Sequence, residues 1–92
     1  MNQEVKAKWV EALRSGKYKQ GRKTLKHAGR YCCLGVLCEV AGEPIERFHN
    51  NLNNPFMERV GFPWGQHGVL IEMNDTKKKS FAEIADYVEQ NL

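Results

Sequence analysis

Seven cations and no carboxylate stand between Ala12 and Cys38: Arg14, Lys17, Lys19, Arg22, Lys23, Lys26 and Arg30. The chemistry open to such a stretch is anion recognition. Clustered guanidinium and ammonium groups raise the local concentration of counter-ions and donate charge-assisted hydrogen bonds to phosphate oxygens. The whole chain has 14 Lys and Arg against 11 Asp and Glu, so with seven cations gathered here the rest of the molecule is net acidic. Tyr18, Gln20, Thr24 and Tyr31 are interleaved with the cations and can stack on a base or hydrogen-bond its edges. Gly16, Gly21 and Gly29 let backbone amides come close to a phosphate. Neither the Walker A spacing nor the dinucleotide fingerprint is present, so the pattern specifies an anion and not a known nucleotide loop. On this reading Arg14, Lys17, Lys19, Arg22 and Arg30 pair with phosphates. Tyr18, Tyr31 or Trp64 stacks on a base, and Gln20 or Asn74 reads polar edges. The competing reading is a solvated loop that keeps a small protein soluble.

Other reactive side chains form weaker patterns. Lys77-Lys78-Lys79 precedes the last helix, where unsatisfied amides favour anions, and makes a second candidate site beside the bland reading of a solvated lysine run. Cys32, Cys33 and Cys38, with His27 or His49, supply ligand types for zinc. Structural zinc takes thiolates in pairs two to four residues apart, however, and here Leu-Gly-Val-Leu separates Cys33 from Cys38. The cysteines therefore read as core residues, and neither metal nor cofactor is expected. His27, His49 and His67 lie far apart with no nucleophile motif beside them, so the chain reads as a binding protein without catalytic residues rather than an enzyme.

These side chains need elements to position them. The 92 residues make one domain, 1–92, with a modest core, and a chain this short gains burial by self-association, so a homo-oligomer is expected. Three cysteines, two of them adjacent, point to a reducing compartment. Met1 to Lys6 lack the apolar run of a secretion signal, and no stretch approaches the roughly 18 apolar residues of a membrane span. Asn2 caps a helix over 3–15 that buries Val5, Trp9 and Leu13, with Val10 on its border and Gly16 as its stop. Thr24 to Cys33 reads as a short hairpin turning at Ala28-Gly29-Arg30. Cys33 to Ala41 is a buried short helix closed by Gly42. Pro44–His49 is a turn of helix, 50–54 a polar loop, and Asn54-Pro55 begins a brief helix ended by Gly61. Gly68 to Met73 reads as a strand or a buried single turn leading to a turn at Asn74-Asp75. Ser80 and Glu83 form a capping box for a helix over 80–91. The fold class is α+β.

Three stretches resemble a family of small proteins carried by tailed bacteriophages and prophages. The first is Trp9-x-x-Ala12-Leu13-Arg14-Ser15-Gly16-x-Tyr18-x-Gln20-Gly21. The second is Tyr31-Cys32-Cys33-Leu34-Gly35-Val36-Leu37-Cys38. The third is Met73-Asn74-Asp75 with Ser80-Phe81-x-Glu83-Ile84-Ala85-Asp86. The resemblance covers both ends and the cysteine block, and it carries no functional residues over. It implies a counter-defence factor in the cytoplasm of an infected bacterial host. Joined to the cation cluster, that favours a sponge for an anionic nucleotide-type immune signal, a small molecule held without catalysis. One alternative is a protein–protein inhibitor of a host defence or nucleic-acid enzyme, docking through Phe48, Leu52, Phe56, Met57, Phe62 and Trp64. Another is direct DNA or RNA binding through the basic strip.

Overall fold

The computed structural model describes residues 1–45 and 54–92. Asn2 caps the first helix, α1 (Gln3–Arg14), its side chain accepting from Val5 N–H at 3.0 Å. Trp9, Val10 and Leu13 form the buried face of α1, and Val5 is only half-buried, so the inward stripe lies further round the helix than the sequence suggests. Gly16, at φ +75°, turns the chain away from the helix.

Three two-residue strands follow: β1 (Lys19–Gln20), β2 (Lys26–His27) and β3 (Arg30–Tyr31), in the spatial order β1-β3-β2. β2 and β3 are the expected hairpin. Ala28 at φ +51° and Gly29 at φ +77° form its two-residue turn, the pair of positive φ values that matches strand twist. β1 is the unexpected member. It pairs parallel with β3, Lys19 opposite Arg30 and Gln20 opposite Tyr31, and Gly21 N–H extends the pairing to Tyr31 O at 2.7 Å.

Cys32 starts the second helix, α2 (Cys33–Ala41), which ends on Gly42 at φ +74°. From Cys33 to Cys38 every residue of α2 is buried. Gly35 is required there: any Cβ would overlap the Leu25 carbonyl oxygen, which also accepts Cys32 N–H at 3.2 Å. The hairpin is thus seated directly on the α2 backbone.

The expected helical turn at Pro44–His49 and the polar loop at 50–54 fall mainly outside the described residues. Asn54–Val60 forms α3, as the Asn-Pro start implies. Gln66–Ile71 is a helix, α4, which continues into a π-helical turn over Glu72–Thr76. This replaces the strand alternative for 68–73, and the turn at Asn74-Asp75 is part of that wider coil. The last helix, α5 (Phe81–Asn91), begins with the capping box: Glu83 N–H donates to Ser80 Oγ at 3.2 Å and Ser80 N–H to Glu83 Oε1 at 3.0 Å. α1 packs against both α2 and α5. Between them lie Trp9, Leu34, Leu37, Leu70, Ile84 and Val88, all fully buried, with Trp9 Nε1–H satisfied by Cys33 O at 2.9 Å. The architecture is α+β, with a helix at each end. Among the described residues no helix is long and apolar enough to cross a membrane.

Candidate anion-binding face

The register of the small sheet decides which cations meet. Lys19 stands opposite Arg30, and Arg30 opposite His27, so the three form one row across all strands on one face. At a strand spacing of about 4.8 Å the row spans about 10 Å. All three residues are exposed. A like-charge pair placed directly across a strand pair is unfavourable by a few tenths to about 1 kcal/mol, a penalty that an anion bound over the row would relieve. Gly21 directly follows β1, its missing side chain leaving room for Arg30, whose Cβ would lie 2.9 Å from an added Cβ.

Gln20 fixes this edge of the sheet. Its Nε2 donates to Lys79 O at 2.8 Å and to Asn74 Oδ1 at 2.9 Å. Asn74 is fully buried, and its Nδ2 donates to Gly21 O at 2.9 Å and to Asp75 Oδ1 at 2.8 Å. Its Oδ1 also accepts Cys33 N–H at 3.3 Å, and Asp75 Oδ1 accepts Lys23 N–H at 3.0 Å. The basic segment is thereby bolted to the π-helical turn and to the lysine loop. Residues 20–23 and 74–79, distant in sequence, are joined by these bonds.

The expected ligand-binding residues divide accordingly. Lys19, Arg22 and Arg30 are exposed around β1 and β3, and Lys17 lies 5.9 Å from the Tyr18 ring centroid. Gln20 and Asn74 spend their amides on each other and on the backbone, so they position the face rather than read a ligand. Gly21 likewise offers no free amide, because its N–H is in the sheet. Tyr18 and Tyr31 meet edge to face at 5.2 Å, but Tyr31 projects opposite to the Lys19–Arg30–His27 row. Lys26 lies 5.2 Å above the Tyr31 ring, and the Tyr31 hydroxyl donates to Glu39 at 3.0 Å. Arg14 sits apart, clamped between Asp86 at 2.7 Å and Glu89 at 3.1 Å. The hydrogen bonds to Glu89 and then Asp86 raise its pKa further, and Arg14 in return holds the Glu89 carboxyl below its ordinary range.

Trp64 is also apart, and wholly exposed. It follows Gly61, where an added Cβ would lie 3.2 Å from Met1 Cα at the start of α1, whereas Lys17 follows the end of α1. A 12-residue helix is about 18 Å long, so Gly61 and Lys17 lie near opposite ends of it. The second expected anion site, at the start of α5, is filled from within the chain, because Glu83 and Ser80 take its cap and Lys79 pairs with Glu83 at 3.8 Å.

His27 and Lys26 were not in the sequence-derived set. Counting back across the two-residue turn pairs His27 with Arg30 and Lys26 with Tyr31, so the alternation in Thr24-Leu25-Lys26-His27 held that information. The three cysteines are free and buried. Burial pushes the Cys32 and Cys33 thiols up and Cys38 to about 12, with the nearby Cys32, Glu43 and Glu39 adding to the Cys38 shift. These are poor nucleophiles and poor metal ligands as they stand. Among the described residues no three His, Cys, Asp or Glu side chains are grouped to hold a metal ion.

A family model described as a domain of unknown function (DUF8296) matches residues 1–51, and the chain belongs to that family. The matched part contains α1, all three strands and α2, which is the whole scaffold of the basic row. Neither the curated proteins nor the solved structures include a match to this chain.

Proposed function

We propose that this protein is a non-catalytic binder that sequesters a phosphorylated, nucleotide-type anion on the face bearing Lys19, Arg30 and His27. Its setting is the cytoplasm of a phage-infected bacterium, where it acts as a counter-defence factor. The observation that carries the reading is the register that sets Lys19, Arg30 and His27 across from one another on exposed strands. The two hydrogen bonds of Gln20, to Asn74 and to Lys79 O, anchor β1 from the opposite face. Recognition is by phosphate charge, because the Tyr18–Tyr31 pair lies on the other side of the sheet. Ligands with more phosphates therefore bind more tightly, and base identity matters less.

The test is a thermal-shift series with nucleoside mono-, di- and triphosphates, cyclic dinucleotides, tripolyphosphate and short DNA. Ligand at about 100 times its dissociation constant adds about 2.7 kcal/mol, which for a domain of this size moves the midpoint by about 10–20 °C. Lys19→Ala with Arg30→Ala should abolish the shift while leaving the midpoint of the free protein nearly unchanged. No shift with any of these ligands would sink the reading for the classes tested.

Trp64 favours a second reading, a protein inhibitor. A fully exposed indole beside a cleft of about 390 Å³ lined by Met57, Pro63 and His67 has the character of an interface anchor. Phe56 does not add to it, since it is a core residue, Phe62 reaches the cleft wall from the core, and Phe48 and Leu52 lie outside the described residues. A stoichiometric host protein retained by the wild type and lost with Trp64→Ala would favour this reading over the sponge.

A further inference from the structure

The three members of the basic row differ in one respect. Lys19 and Arg30 keep their charge at neutral pH and well to either side of it, whereas histidine is the side chain whose charge changes between about pH 5 and pH 8. We propose that His27 makes anion binding on this row pH-dependent, taking up a proton from solvent as the ligand binds and returning it as the ligand leaves. The inference rests on the anion reading and assigns that site its regulation.

The sheet places His27 for this role. Its register sets His27 directly across from Arg30, with Lys19 on the far side of Arg30. Arg30 Nη1 donates to Gln20 O at 3.4 Å, so the guanidinium leans over β1 toward Lys19. The two fixed cations thus form a pair, and His27 stands at the other end of the row, about 10 Å across. An extended polyphosphate is long enough to lie on the pair and meet the imidazole as well. The charged groups that share the face of His27 in the sheet are both cations, Arg30 on β3 and Lys19 on β1. Lys26, beside it in β2, projects to the opposite face over the Tyr31 ring, where Glu39 of α2 accepts from the Tyr31 hydroxyl. Among the described residues His27, which is exposed, makes no hydrogen bond or ion pair, so both ring nitrogens face solvent or ligand. A polyanion over the row favours imidazolium over imidazole, and the imidazolium donates a charge-assisted hydrogen bond to a phosphate oxygen. Coupling of this kind is reciprocal: a ligand that favours the proton is itself favoured by the proton. Binding is therefore tightest at mildly acidic pH and weakens as pH rises.

Dissociation constants for tripolyphosphate at pH 5.5 and pH 8, measured with the wild type, His27→Asn and His27→Lys, test it. The ratio of variant to wild type at each pH cancels the titration of the probe and of the two histidines that all three proteins share. His27 is exposed, so neither replacement disturbs the core. H27N should match the wild type at pH 8 and bind about fivefold more weakly at pH 5.5, the size expected of one exposed charge pair. H27K should match the wild type at pH 5.5 and bind about fivefold more tightly at pH 8. The nuclear magnetic resonance titration of the His27 imidazole should move to higher pH when tripolyphosphate is added. Ratios that do not change with pH, or a His27 titration that tripolyphosphate leaves in place, overturn the proposal and leave the anion reading standing. A wild type that binds no tripolyphosphate at either pH overturns both.

Discussion

Asn74 shows how much one polar side chain can organise when it is placed in the core. Its amide touches the β1 loop, the start of α2 and Asp75, with every valence engaged in a site closed to water. Truncation to alanine strands Cys33 N–H and Gly21 O and frees Gln20 from one partner. A buried unsatisfied group is unfavourable by about 1–3 kcal/mol, so Asn74→Ala should lower unfolding stability by about 3 kcal/mol in a denaturant titration. It should also weaken anion binding, because Gln20 then holds the basic edge less firmly. The thiols lend themselves to a pH measurement. Unfolded thiols ionise near 9, whereas the Cys38 thiol is pushed up to about 12 in the fold. Between those values the unfolded chain binds fewer protons than the native one, so stability is intact at neutral pH and falls as pH rises above about 9. Cys38→Ala should flatten part of that decline in denaturant midpoints measured across the alkaline range. At the residue scale, the sequence marked Gln20 and Asn74 as important but gave the wrong reason. Two polar residues separated by half the chain carry no sign that they will satisfy each other.

Elements with local signals were legible. Asn2 and Gly16 bound α1, Gly42 closes α2, and Ser80 with Glu83 sets the start of α5, because each of these signals acts within one turn of helix. The hairpin was legible for the same reason, and its turn invites a stability test. Ala28 holds φ +51° without the side-chain hydrogen bonding that makes asparagine at home there. Ala28→Asn should therefore raise stability by about 0.5–1 kcal/mol, read as a higher denaturant midpoint with an unchanged slope. Two features were not legible. β1 joins the sheet in parallel, a pairing that depends on where α1 delivers the chain and on no pattern within Lys19-Gln20. The stretch 68–73 is apolar enough for a strand, and only its packing against α2 makes it a helix.

For the molecule as a whole, α1 stands between Gly61, packed at its N-terminal end, and Lys17, which follows its C-terminal end. Convergence of charge, on which an anion site depends, was legible only in part. Lys19 and Arg30 meet as a clustered segment suggests, yet Arg14 belongs to α5 through Asp86 and Glu89, and the acidic C-terminal helix gave no sequence signal of that claim. Trp64 stood out by type, but its neighbours, Met57, Pro63 and His67, are a property of the packed helices. The π-helical turn also bears on how the chain tolerates changes in length. Each residue of a helix advances the side chains by about 100°, so deleting Glu72 or Met73 would swing Asn74 out of phase with Gln20 and Cys33. Natural variation in length should therefore be rare in that short stretch and freer elsewhere on the surface, as though the spare residue in the coil were a spacing gauge for the whole basic edge.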